Sequence, residues 1–270
     1  MKRARQVSAN PLWRRLQHTW QRLRGQERYK SNAVSFLEFA EQRYKQVRFP
    51  SVFEARRVEG ILRATHGSGL FPTLIHRLES TLWVRFVSGS DLDAGHPQHR
   101  EALYRFFAGL YAHESRQVDI LETGIRDRLH THIETLEEVG WLDGDRARRL
   151  LKLAGDLEPT AVWVGLEYID SLRKNFILSD SGVVGIDIEA AWEKELLGIG
   201  LAKTRLRWLD QAAGPILERL VELGAPDLRE QYPYAHLVFL AQYSVQSLLR
   251  GKRGRVPLSA FDALLAEHAS

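Results

Sequence analysis

The sequence predicts an α+β protein in which a small antiparallel sheet with one helix precedes a larger, mainly helical part. Residues 31–90 alternate between apolar and polar side chains, as the strands of a half-buried sheet do. From about residue 98 the apolar side chains recur instead at helical spacing. A strand-turn-strand unit at 175–187 interrupts the helices. The predicted divisions are therefore a basic segment at 1–30, a sheet part at 31–90 and a helical part at 91–270.

The elements of the sheet part follow from its alternating runs and its turn residues. Two strands joined through Glu41-Gln42 form a predicted hairpin, a helix comes next, and two more strands complete the sheet. The predicted strands are 33–40, 43–49, 71–75 and 82–87, and the predicted helix is 51–64.

The helical part begins with an apolar stripe at i, i+3, i+4 spacing, formed by Leu103, Phe106, Phe107, Leu110 and Tyr111. A short apolar run at 162–166 leads into the strand-turn-strand unit. Further helices are predicted at 122–139, 144–154, 190–208, 212–223, 232–250 and 258–268.

Composition narrows the class of protein. A chain of 270 residues can bury a large core, and the absence of cysteine excludes disulfides and thiolate metal sites, which suits a cytoplasmic protein. No run of about 18 apolar residues occurs, so a membrane span is not expected. The first residues also lack the pattern of a secretory signal.

Positive charge is concentrated at the start of the chain. Residues 1–30 carry nine Lys or Arg and one acid, a net charge of +8, whereas the whole chain carries +4. Residues 11–24 are predicted to form an amphipathic helix with Leu and Trp on one face and Arg over much of the rest. Peripheral contact with an anionic membrane and packing on the domain are both open interpretations. Nucleic acid is disfavoured, because aromatic residues are not interleaved with basic ones elsewhere.

The most informative motif surrounds the strand-turn-strand unit. Asp170 precedes Asn175 by five residues, Asn175 opens one apolar strand, and the second strand ends at Asp187, with Glu189 close behind. Phosphoryl transfer needs a carboxylate at the substrate hydroxyl, together with an amide oxygen and a second carboxylate on Mg²⁺. The spacing matches that need. Taken singly, each acid could equally be a loop cap or a turn residue.

This motif resembles the catalytic and metal-binding loops of the kinase-like phosphotransferases, and most nearly those of bacterial lipopolysaccharide core sugar kinases and aminoglycoside and choline phosphotransferases. The resemblance implies a two-lobed protein-kinase-like fold with a small antiparallel-sheet N-lobe and a larger helical C-lobe. It implies that Asp170 is the catalytic acid and that Asn175 and Asp187 hold Mg²⁺. Where this family usually has His, two residues before the catalytic acid, the chain has Tyr168.

The same resemblance assigns nucleotide contacts in the sheet part. Lys45 would contact the phosphates of ATP, and Glu59 of the predicted helix would pair with it; Arg48 and Glu54 are the alternatives for these roles. Lys45 is the only lysine between residues 31 and 151 of an arginine-rich chain, which favours a site that needs a compact charge. No glycine-rich phosphate loop precedes these strands.

The implied activity is ATP-dependent phosphorylation of a hydroxyl group on a sugar or small alcohol. The basic segment at residues 1–30 favours a substrate at a membrane surface, such as a lipid-linked sugar of the lipopolysaccharide core. The protein would then be cytoplasmic and peripheral to the inner membrane. Two alternatives remain: a pseudokinase without phosphotransfer, and a regulatory module that binds a membrane surface. Lys203 and Arg205 could approach an acidic substrate, or they could be solvated helix residues.

Overall fold

The computed structural model of the chain describes residues 5–6, 32–251 and 257–268. The helix predicted at residues 11–24 therefore lies outside the described residues. The chain divides into two compact units. We call residues 1–91 with 176–189 the sheet unit, and residues 92–175 with 190–270 the helical unit. Residues 176–187 of the predicted strand-turn-strand unit thus group with the sheet, whereas its first residue, Asn175, belongs to the helical unit.

The sheet unit contains a five-stranded antiparallel sheet in the order β1-β2-β3-β5-β4. Its strands are β1 (Arg5–Gln6), β2 (Ala33–Phe39), β3 (Gln42–Arg48), β4 (Leu74–Leu78) and β5 (Thr81–Arg85).

The predicted hairpin is confirmed as β2–β3, but its turn is one residue earlier than expected. Phe39 pairs with Gln42, so Ala40 and Glu41 form the two-residue connection. Both have positive φ angles, 50° and 64°, as the two central residues of a type I′ turn require. The strand predicted at 71–75 is also displaced, because β4 begins at Leu74 and pairs with β5 through a bulge.

Helix α1 (Val52–Ala64) follows β3 and confirms the predicted helix at this position. Ser51 caps it, accepting a hydrogen bond from the backbone N–H of Glu54 at 3.2 Å. The face formed by Ala55, Val58, Ile61 and Leu62 is buried in the core of the unit.

A second hairpin completes the sheet unit, with strands β8 (Phe176–Ser179) and β9 (Gly182–Gly185). Ser90 and Leu178 exchange two backbone hydrogen bonds of 3.0 and 2.9 Å, which join this hairpin to the segment after β5. Gly89 is required at this junction, because a Cβ there would lie 2.2 Å from the carbonyl oxygen of Leu178.

The helical unit contains a three-stranded antiparallel sheet in the order β10-β7-β6, of which the central strand β7 is buried. The strands are β6 (Arg116–Asp119), β7 (Ala161–Tyr168) and β10 (Ala191–Leu196). The helices are α2 (Pro97–Ala112), α3 (Ile125–Glu138), α4 (Gly144–Leu157), α5 (Ile199–Arg207), α6 (Ala213–Glu222), α7 (Tyr232–Leu249) and α8 (Leu258–Glu267).

One prediction in this unit is wrong. Residues 190–208 were expected to form a single helix, yet the segment is β10 followed by α5. β10 pairs antiparallel with β7 through a bulge between Trp192 and Glu195, where Lys194 has a φ angle of 59°. Pairing with a buried strand has outweighed the helical propensity of this sequence.

Among the described residues, every helix is either too short or too polar to cross a membrane.

Candidate active site

The Asp170 loop (residues 169–175) begins where β7 ends in the helical unit. The backbone N–H of Leu172 donates to the carbonyl of Asp170 at 2.7 Å, and that of Asn175 to the carbonyl of Leu172 at 2.8 Å. These two successive tight turns bring residue 175 back towards residue 170, which explains why an acid and an amide five positions apart can meet.

The carboxylate of Asp170 is held at both oxygens. Asn175 Nδ2 donates to Oδ2 at 3.2 Å and to the carbonyl oxygen of Asp170 at 2.7 Å. Lys203 Nζ donates to Oδ1 and, at 3.2 Å, to the carbonyl oxygen of Ile169. The side chain of Asp170 is 39% exposed and that of Lys203 only 7%. The carboxylate therefore stays accessible to a hydroxyl group while its orientation is fixed.

These contacts also determine which end of Asn175 could bind a cation. Because Nδ2 points to Asp170, the amide oxygen is the end directed elsewhere. An amide oxygen is a ligand that Mg²⁺ accepts.

Tyr168 supports the Asp170 loop from within the core. The side chain is fully buried, its hydroxyl donates to the carbonyl of Asn175 at 3.1 Å, and its ring meets that of Phe106 edge-on at 5.9 Å. The residue that departs from the expected His is thus part of the loop's framework.

One face of helix α5 packs against the Asp170 loop. Gly200, Lys203 and Thr204 lie at i, i+3, i+4 and so share that face. Ser171 Oγ donates to the carbonyl of Gly200 at 2.5 Å, and Thr204 Oγ1 donates to the carbonyl of Ser171 at 3.2 Å. Trp208 Nε1 donates to the same carbonyl at 2.9 Å. The helix thereby determines where Lys203 meets Asp170.

A buried carboxylate joins β7 to the start of α5. Glu167 accepts hydrogen bonds of 2.8 Å from the backbone N–H groups of Tyr168 and Gly198. Burial raises the pKa of Glu167 to about 7, although these backbone donors act to lower it. Gly200 is needed at this contact, since a Cβ would lie 2.5 Å from Glu167 Oε1 and 2.6 Å from the carbonyl oxygen of Tyr168.

In the sheet unit, Lys45 contacts the loop that contains Asp187. Lys45 lies in the middle of β3, opposite Phe36 on β2 and Val84 on β5. Its Nζ donates to the carbonyl oxygen of Ile186 at 2.7 Å. The predicted strand lysine and the predicted metal-binding acid therefore belong to one local structure, although they are far apart in sequence. The alternative strand residue, Arg48, is exposed.

The predicted pairing of Glu59 with Lys45 is wrong. Within the described residues, the carboxylate of Glu59 binds Arg63 at 2.8 Å and Arg77 of β4. Burial acts to raise the pKa of Glu59, but hydrogen bonds and charge from these two arginines outweigh it and lower the pKa. Glu59 thus connects α1 to the edge strand of the sheet.

A different residue of α1 reaches the Asp187 loop (residues 186–189). Arg57 donates to the carbonyl oxygen of Glu189 at 3.1 Å. The other helix acid considered from sequence, Glu54, has one carboxylate oxygen buried without a hydrogen-bond partner in the described part of the chain.

The oxygen-bearing side chains predicted to bind the metal are of a kind that Mg²⁺ accepts. Among residues 5–6, 32–251 and 257–268, no cluster of three or more His, Asp or Glu side chains could hold a metal. Mg²⁺ needs fewer ligands, since one or two carboxylates together with nucleotide phosphates and water complete its shell. Glu189 fits a nearby cation, because its Oε2 is buried and makes no hydrogen bond within the described residues.

Sequence reasoning missed Arg57 and Glu167, and it weighed Lys203 only as a possible substrate contact. Each acts on a loop that is distant in sequence, and no local spacing signals such a contact. Arg205, considered with Lys203, donates instead to the carbonyl of Gln211 at 2.8 Å and to the hydroxyl of Tyr232 at 3.2 Å.

No protein-family model and no curated protein sequence matches this chain. Solved structures do match it. The macrolide 2′-phosphotransferase MphH from Brachybacterium faecium has a TM-score of 0.60 at 15% identity, covering 89% of each chain. Choline kinase LicA from Streptococcus pneumoniae has a TM-score of 0.61 at 12% identity, covering 96% of this chain and all of its own.

A thermostable mutant of an aminoglycoside phosphotransferase, solved with ADP and hygromycin B, has a TM-score of 0.61 at 14% identity. The match covers 100% of this chain and 95% of that one. At such identities the likeness concerns the fold, a small antiparallel-sheet unit together with a helical unit.

Proposed function

We propose that this chain, which has the fold of the kinase-like phosphotransferases, transfers the γ-phosphoryl group of ATP to a hydroxyl group of a small molecule. The observation that carries the proposal is the Asp170–Asn175 pair. An accessible carboxylate is oriented by the amide of the residue predicted to bind the metal. The solved structures with this fold add support, since their names describe kinases and phosphotransferases of small molecules.

Asp170 is the general base in this proposal. Its carboxylate accepts the proton of the acceptor hydroxyl while the hydroxyl oxygen forms a bond to the γ-phosphorus. The bond from that phosphorus to the bridging oxygen breaks, and ADP leaves with the electron pair. Lys203 and Asn175 keep the carboxylate oriented, which limits the conformations that the reacting groups must search.

Lys45 supplies a compact positive charge for the phosphates of the nucleotide. Asn175 and Asp187 would hold Mg²⁺, and the ion would neutralise charge on the β- and γ-phosphates. Lys45 donates a 2.7 Å hydrogen bond to the carbonyl oxygen of Ile186, the residue before Asp187. Substitution of Lys45 or of Asp187 should therefore affect the same binding step.

The acceptor in this proposal is a sugar or small alcohol, and a lipid-linked sugar of the lipopolysaccharide core is its most specific form. Exposed Arg173 and Lys174 within the Asp170 loop favour an acceptor with anionic groups. The peripheral membrane contact proposed for residues 11–24 would bring the domain to such a substrate.

Magnesium-dependent nucleotide binding tests this function. Calorimetric titration with ATP, with and without Mg²⁺, should show that magnesium tightens binding to the wild type, and ADP formation should require an acceptor alcohol. Asp187→Ala should lose the magnesium effect and the turnover while remaining folded. Asp180→Ala, a change in the exposed tip of the β8–β9 hairpin, is the matched control and should behave as wild type. Unchanged turnover in Asp187→Ala would exclude the proposed metal role.

A pseudokinase is the second candidate, because Lys203 already occupies one oxygen of Asp170 and no glycine-rich loop precedes β2. Binding of MgATP without ADP formation across a panel of sugars and alcohols would favour it. Salt-sensitive vesicle binding that is lost on deleting residues 1–24, with no nucleotide effect, would favour a membrane-surface module instead.

A further inference from the structure

We infer that Arg57, rather than Glu59, is the side chain of α1 that supports the nucleotide site, and that it does so by positioning the Asp187 loop. What the loop binds rests on the proposed function; the contact itself does not. Arg57 donates to the carbonyl oxygen of Glu189, two residues beyond Asp187.

Helix geometry makes Arg57 and Glu59 mutually exclusive in this role. Two residues along an α-helix are separated by about 200° around its axis, so the two side chains point in nearly opposite directions. Glu59 is bound to Arg77 on β4 and Arg63 on its own helix. A helix that directs Glu59 towards β4 must direct Arg57 elsewhere, and the Asp187 loop is where Arg57 lies.

Two cations hold the backbone of the Asp187 loop on either side of the acid. Lys45 from β3 binds the carbonyl oxygen of Ile186 at 2.7 Å, and Arg57 from α1 binds that of Glu189 at 3.1 Å. The position of the Asp187 carboxylate is thus set by a strand and a helix of the same unit. Hydrogen bonds from charged donors are roughly twice as strong as neutral ones, so both contacts should restrict the loop appreciably.

The carboxylates around Arg57 explain why a cation is favourable there. Glu54 lies three residues before Arg57 and therefore on the same side of the helix. Glu54 and Glu189 each have a carboxylate oxygen that is buried and makes no hydrogen bond within the described part of the chain. A cation at position 57, one helical turn from Glu54 and bonded to the backbone of Glu189, offsets the charge of these acids, whereas another acid there would add to it.

The variants Arg57→Met and Glu59→Gln distinguish a supporting role of Arg57 from the pairing of Glu59 with Lys45 that the sequence predicted. Titration with ATP, with and without Mg²⁺, should show that Arg57→Met loses roughly tenfold in affinity for MgATP and much less for ATP alone. A merely structural loss would weaken both alike. Glu59→Gln should bind MgATP as wild type does, and Arg57→Lys, which keeps a charged donor, should recover part of the affinity.

Hydrogen exchange gives a readout that does not depend on nucleotide. The backbone amides of residues 187–190 should exchange faster in Arg57→Met than in the wild type, and at the wild-type rate in Glu59→Gln. Arg63→Met, on the exposed side of α1, is the control. Equal exchange and equal MgATP affinity in wild type and Arg57→Met would overturn the inference, as would a loss of MgATP binding in Glu59→Gln alone. A wild type that binds no MgATP would instead overturn the proposed function.

Discussion

Lys203 donates a hydrogen bond to the carboxylate of Asp170 across 33 positions of sequence. Its ammonium group also lies 4.6 Å from the centre of the Tyr243 ring and 3.2 Å from the carbonyl oxygen of Ile169. A lysine so enclosed has little freedom to turn away from its partner. Removing its charge would leave the carboxylate with Asn175 as its remaining orienting contact among those described above.

Lys203→Met should therefore lower kcat for phosphoryl transfer by about 100-fold, the scale of loss that follows small misplacement of a reacting group. The KM for MgATP should change little, because the proposed contacts of the nucleotide and its Mg²⁺ are with Lys45 and Asp187 and not with Lys203. Steady-state kinetics with an acceptor alcohol would measure both. Lys194→Met, an exposed substitution on β10, provides the control.

Chemical rescue distinguishes orientation of Asp170 from general support of the fold. Lys203→Ala leaves space for a small alkylamine, and methylamine should restore part of the lost turnover. A kcat for Lys203→Met equal to that of the wild type would contradict the positioning role.

Gly200→Ala should lower the free energy of unfolding by about 1–3 kcal/mol, the usual cost of overfilling a packed site. The new methyl group would meet Glu167 Oε1 at 2.5 Å and the carbonyl oxygen of Tyr168 at 2.6 Å. Denaturant titration would measure the change. Gly155→Ala on α4 is the matched control, since a Cβ there has no neighbour within 4 Å and the substitution should be neutral or stabilising. Equal effects of the two substitutions would argue against the close approach of α5 to β7.

The buried carboxylate of Glu167 should make stability fall as pH rises. Its pKa is raised from 4.5 to about 7, so between these values the folded protein retains a proton that the unfolded chain has released. The favourable contribution is complete below pH 4.5 and is lost as pH rises through about 7. The loss amounts to roughly 3 kcal/mol. Denaturant titrations at pH 5 and pH 8 would measure it.

Glu167→Gln isolates this contribution, because glutamine does not titrate. Other groups, such as His236, whose pKa burial lowers to about 4, affect wild type and variant alike. The pH dependence of stability should differ between the two proteins by the contribution of Glu167. Identical dependence would show that Glu167 is ionised in both states over this range.

The elements that the sequence predicted well are those whose pattern is local. The β2–β3 hairpin follows from alternation, and α7 from a long apolar run beginning at residue 232. β10 was mistaken for a helix because its strand character comes from pairing with β7. β6, only four residues long, was not recognised, since a strand of that length has too few residues to establish a period.

The residues of the candidate site also divide into those that a local sequence pattern indicates and those that depend on distant contacts. Asp170, Asn175 and Asp187 belong to one contiguous motif, so their spacing was visible in the sequence. The contacts of Lys203 with Asp170 and of Arg57 with Glu189 join residues 33 and 132 positions apart. Neither could be inferred without knowing how α5 and α1 pack. The sequence locates Glu59 in α1, but the residue of α1 that contacts the Asp187 loop is Arg57. Arg57 lies two positions earlier and therefore on nearly the opposite side of the helix.

The β8–β9 hairpin fixes the length of chain between Asn175, which directly precedes its first strand, and Asp187, which follows its second. Each strand has four residues, and the tip closes where Ser179 Oγ donates to the carbonyl of Gly182 at 2.8 Å. An insertion at exposed Asp180 or Ser181 would only enlarge the tip. One extra residue within either strand would turn every following side chain to the other side. Related chains should accordingly differ in the size of this tip and preserve the number of residues in its two arms.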